Sequence, residues 1–72
     1  MSFEIKYVDI HEPILYNFSR HCGRYSWEIS TEEYRQNVNN ELKHFNAYRD
    51  FEKNYITFQT EAHYQWFLMR WV

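Results

Sequence analysis

Sixteen of the 72 residues are aromatic, seven Tyr, six Phe and three Trp, and no other feature constrains the fold as strongly. A chain this short has little room for a core, so each buried side chain must remove much apolar area from water. Large flat rings do this best, and they pack at restricted angles. The same rings are the usual anchors of binding surfaces. With one Gly and one Pro in the chain, few positions force regular structure to break. The reading is a compact, aromatic-cored domain with rings left over for a partner.

Residues 1–72 are read as one domain, too short to divide and near the lower size limit for stability without covalent staples. Cys22 is the one cysteine, which rules out an intrachain disulfide. Apolar burial or self-association must hold the fold. A lone cysteine suits a reducing compartment. The opening MSFEIKY mixes acidic and basic residues without an apolar run, so no signal peptide is expected. The longest apolar run, Trp66-Phe67-Leu68-Met69, is far too short to span a bilayer. Eight basic residues against ten acidic ones give a net charge of −2. That balance lacks the basic excess of a typical nucleic-acid binder.

Periodicity divides the chain into six elements. Phe3, Ile5 and Tyr7 alternate with Glu4 and Lys6, the pattern of a half-buried strand over 3–8. Pro13 suits a helix start, and Ile14, Leu15, Phe18 and Cys22 share one helical face. Gly23 then ends a helix over about 12–22. Tyr25, Trp27 and Ile29 alternate again and predict a second strand over 24–29. Ser30 and Glu33 have capping-box spacing. They open a helix expected to run to about Tyr48, with Tyr34, Val38, Leu42, Phe45 and Tyr48 as its apolar stripe. Tyr55-Ile56-Thr57-Phe58 has third-strand composition, and Thr60 with Glu61 starts a last helix over about 61–71. The fold class is α+β: one small domain in β-α-β-α-β-α order, with a three-stranded sheet packed against helices. Strand direction is left open.

Catalytic signals are sparse. Cys22 follows His21, but neighbouring helical residues point about 100° apart. Cys22 also lies on the apolar helical face, where a thiol is a small buried hydrophobe. His11, His21, His44 and His63 lack the i,i+3 or i,i+4 spacing of a local metal site. A single glycine cannot form a phosphate-cradling loop. No catalytic residue, metal or cofactor is expected.

Binding signals are stronger. The last helix brings Trp66, Met69, Arg70 and Trp71 within two turns, a wide arc for one core to surround. Trp66, Arg70 and Trp71 are the first candidates for contact with a protein partner or a second copy of the chain. Arg70 is expected to cover Trp66, four residues before it. Tyr16 and Arg20, one turn apart, make a second patch. The alternative is single-stranded nucleic acid, bound by Tyr16, Arg20, Arg24 and Tyr25 through stacking and charge. No membrane partner is expected.

The stretch Tyr55–Trp71, an I-T-F strand followed by Thr60-Glu61 and closing on Phe67-Leu68-Met69-Arg70-Trp71, resembles the ending of small proteins encoded by T4-like tailed bacteriophages. Cys22-Gly23 and Tyr25-Ser26-Trp27-Glu28 are similar to segments of the same proteins. The resemblance implies a non-enzymatic accessory protein that binds a host or phage protein in the cytoplasm of the infected cell. It transfers no catalytic or binding residue.

Overall fold

A computed structural model describes residues 2–72. The elements run β1 (Phe3–Lys6), α1 (Glu12–Cys22), α2 (Thr31–Leu42), β2 (Ala47–Asp50), β3 (Tyr55–Phe58) and α3 (Glu61–Trp71). Short 3-10 turns occupy Tyr7–Asp9 and Lys43–Phe45. This is a small α+β domain of three helices and one three-stranded sheet. Strand β3 is central, with β1 and β2 antiparallel on its two sides.

The register explains which face is buried. Phe3, Phe58 and Ala47 align across the sheet, and so do Ile5, Ile56 and Arg49. These residues face the helices. Glu4, Thr57 and Tyr48 align on the opposite face, left open to water. Alternation along β1 and β3 thus sends Phe3, Ile5, Ile56 and Phe58 to the helices, while in β2 Arg49 faces inward and Tyr48 outward.

The core is a set of edge-to-face rings. Phe67 of α3 meets Phe18 of α1 at 5.1 Å, Phe45 at 5.5 Å and Phe58 of β3 at 5.6 Å between ring centroids. Trp71 joins at 5.4 Å from Phe18. Ile14, Val38, Leu42 and Ile56 complete the buried cluster. Each ring pair adds about 0.5–1.5 kcal/mol beyond the area it buries. Arg49 closes one end of this interior. Its guanidinium lies 3.7 Å from the Tyr7 ring centroid and 4.5 Å from that of Phe51, and it donates to Asn54 Oδ1 at 2.8 Å.

Local signals set the helix ends. Gly23 has φ 96°, and the Gly23 and Arg24 amides donate to Arg20 and Ser19 carbonyls, closing α1. The Ser30 hydroxyl accepts from the Glu33 amide at 3.1 Å, and Thr60 caps α3 through the His63 amide.

Two expectations are corrected. Residues 24–29 form no strand. After Gly23 the backbone turns, Ser26 donates its amide to the Gly23 carbonyl, and Ser26 Oγ accepts from Glu28. Those bonds replace a ladder, and Trp27 is left 90% exposed. The second helix also stops at Leu42, well before Tyr48. Asn46 adopts the left-handed conformation, φ 51°, which Asn tolerates, and redirects the chain into β2. Tyr48 therefore stands on the open sheet face. The second strand lies at 47–50, after α2, and the three strands and three helices are retained.

Replacing Phe67 by Ala removes the ring that three other rings meet, and is expected to cost about 3–5 kcal/mol. Trp27→Ala, at an exposed turn, is expected to stay within about 0.5 kcal/mol of the native protein. Urea denaturation of both variants checks the contrast. A small loss for Phe67→Ala would displace the ring cluster from the centre of the fold.

Candidate functional site

A concavity of about 520 Å³ runs along the outer side of α1. Glu12, Pro13, Leu15, Tyr16, Asn17 and Ser19 supply one wall, Arg24 and Tyr25 the other, and Tyr7 lines it from the turn after β1. These residues meet for local reasons. Glu12 and Tyr16 are one helical turn apart on α1. The left-handed Gly23 then folds the chain back so that Arg24 and Tyr25 stand beside that helix.

The floor is fixed by a buried hydrogen bond of 2.9 Å between the Tyr7 hydroxyl and Ser19 Oγ. Above it, the rings of Tyr16 and Tyr25 lie 5.4 Å apart at 38°, a joint aromatic shelf. Tyr16 is 49% and Tyr25 61% exposed. The Arg24 guanidinium sits 6.0 Å from the Tyr25 ring centroid. Asn17 donates to the Trp71 carbonyl at 2.9 Å, fastening the C-terminal turn of α3 to the helix that carries the groove.

The structure sorts the sequence candidates. Tyr16, Arg24 and Tyr25 come together in the groove, and Arg20 is exposed on α1 one turn beyond Tyr16. Trp66 is 56% exposed, with its ring edge-to-face on Phe45 at 5.2 Å. Met69 is also exposed on α3. Trp71 is corrected from surface to core: it is 5% exposed, packed on Phe18 and, at 4.8 Å, on the His21 ring. The cause is the seat of α3 against α1, which turns that position inward. Arg70 is exposed but stacks at 4.2 Å over Trp71, and not over Trp66 as expected. The groove residues Tyr7, Glu12, Pro13 and Asn17 escaped sequence reading. Glu12, Pro13 and Tyr16 do share the outer helical face, and a helical projection would have grouped them.

The thiol of Cys22 is a poor nucleophile. It is buried, and burial, followed by the nearby Glu41 carboxylate, pushes its pKa up from 9.0 to about 12. His21 pairs instead with Glu41, its Nε2 lying 3.1 Å from Oε1. Among the described residues, no group of three or more His, Cys, Asp or Glu side chains is arranged to hold a metal ion. No helix among them is long and apolar enough to cross a membrane.

Comparison with protein-family models, with curated proteins and with solved structures returns no match.

The raised Cys22 pKa has a defined consequence for stability. The folded protein favours the neutral thiol, so this stabilisation is complete below about pH 9 and fades as pH rises towards 12. Native Cys22 is expected to resist iodoacetamide near neutral pH and to react readily once the chain is unfolded in guanidinium. Equal labelling rates in the two states would mean that the thiol is accessible and activated.

Proposed function

We propose that this chain is a non-enzymatic accessory protein that binds another protein through its exposed aromatic surface. The observation that carries the reading is the Tyr16–Tyr25 shelf. Two large rings, 49% and 61% exposed, lie 5.4 Å from each other in this groove, while the core is closed without them. Tyrosine suits such a position, because its ring prefers apolar contact and its hydroxyl stays hydrated. Arg20 and Arg24 border the shelf and add the guanidinium groups typical of protein interfaces. Trp66 and Arg70 on α3 form a second patch with Met69 and serve a second contact or a second copy of the chain. The buried, unreactive thiol of Cys22 favours binding over catalysis. The setting, a phage protein acting on a host or phage protein in the infected cell's cytoplasm, is supported by the resemblance of the terminal segment.

A second reading, single-stranded nucleic acid on Tyr16, Arg20, Arg24 and Tyr25, is favoured by the grouping of Tyr16, Arg24 and Tyr25 in one groove. Against it, Glu12 lines the same groove, and the chain carries a net charge of −2.

The test is affinity capture from infected-host lysate on immobilised protein, with Tyr25→Ala and Trp66→Ala as parallel baits. Both positions are exposed, so both variants are expected to fold. A protein retained by the native chain and by Trp66→Ala, but lost with Tyr25→Ala, is the expected result. Retention that neither substitution affects would contradict binding through these aromatics. An oligonucleotide that binds at low salt and is released as salt rises would favour the nucleic-acid reading.

A further inference from the structure

The groove has a length, a lining and a polarity, and together they select an occupant. Along the groove, helix α1 rises about 10 Å between Glu12 and Ser19, which matches about three residues of an extended segment. An extended polyproline II segment rises about 3.1 Å per residue, which sets that number. Tyr16, Tyr25, Pro13 and Leu15 contribute apolar surface to the lining, and the two tyrosines each carry a hydroxyl. Aromatic-lined grooves of this kind suit proline rings, which stack on tyrosine faces. A polyproline II backbone makes no internal hydrogen bonds, so its carbonyls remain open to tyrosine hydroxyl donors. Such a segment is already extended before binding and loses little entropy in a shallow site.

Charge supplies the polarity. Glu12 begins the helix, and Arg24 follows its end. Among the described residues, neither Glu12 nor Arg24 takes part in a salt bridge. We infer that the groove binds a proline-rich protein segment in polyproline II conformation, with a Lys or Arg at its Glu12 end and an Asp or Glu at its Arg24 end. This inference rests on the partner-binding reading and supplies the class of partner. The groove carboxylate also sets the peptide above a nucleic acid, since Glu12 attracts a cationic side chain and repels a phosphate.

Fluorescence anisotropy with labelled peptides of about five residues tests it. One peptide runs arginine, prolines, glutamate, a second has the reverse order, and each has a counterpart in which every proline is replaced by alanine. Saturable binding of one proline peptide is expected, with the alanine version at least about tenfold weaker. Tyr25→Ala is expected to weaken the proline peptide about tenfold. Glu12→Lys is expected to weaken it similarly, and to favour a version whose basic residue is replaced by glutamate. Circular dichroism shows that each variant is folded. Equal binding of proline and alanine peptides, or no binding of either order at millimolar concentration, overturns the inference. Failure here together with a Tyr25-dependent partner in the lysate would leave the partner-binding reading standing and this one rejected.

Discussion

The ring contacts centred on Phe67 are the interaction on which the rest of this small domain depends. One side chain of α3 reaches rings from α1, from the turn after α2 and from β3. Among the described aromatic pairs, no other ring meets rings from so many elements. The antiparallel sheet requires it as well. A three-stranded sheet needs its apolar face covered, and Phe58, the buried end of the central strand, is covered by Phe67 and Tyr64. Seating α3 in this way also turns Trp71 onto Phe18 and brings its carbonyl to Asn17. The helix that carries the groove is thereby fixed from behind.

Once the core is closed, the remaining rings have no internal role. Tyr16, Tyr25, Trp27, Tyr48 and Trp66 stay exposed for different reasons. Tyr48 belongs to the wet sheet face, because alternation along β2 gives Ala47 to the interior. Trp27 belongs to a turn whose backbone bonds are satisfied locally. Trp66 lies beside Phe45 at the rim of the core. Only Tyr16 and Tyr25 meet each other in a groove, on a floor held by the Tyr7–Ser19 hydrogen bond. A rigid floor matters for recognition, because rings already held in place lose little freedom when a partner arrives.

The parts of the fold legible in the sequence are those set by neighbouring residues. Pro13 and Gly23 bracket α1, Ser30 with Glu33 starts α2, Thr60 starts α3, and Tyr55–Phe58 reads as a strand by composition alone. The parts that were not legible depend on distant pairing. Tyr25, Trp27 and Ile29 alternate as a strand would, yet both edges of β3 are taken by β1 and β2. Tyr48 fits a helical stripe as well as a strand, and only the turn at Asn46 decides between them. The candidate site divides in the same way. Tyr16, Arg24 and Tyr25 stand out by type and nearness in sequence. Tyr7 joins the groove only through tertiary placement, and Trp71 leaves the surface through the seat of α3.

The rings thus divide into a Phe67–Trp71 set that builds the core and a Tyr16–Tyr25 pair left to solvent. The most direct measurement is solvent paramagnetic relaxation of the aromatic and indole protons, by NMR with a soluble gadolinium chelate on the dilute protein. The account predicts strong broadening at Trp27, Trp66, Tyr25 and Tyr16, and protection of Trp71 and Phe67. Broadened Trp71 with protected Tyr16 and Tyr25 would contradict it, because the groove would then be filled by the protein itself and the core assembled on other rings.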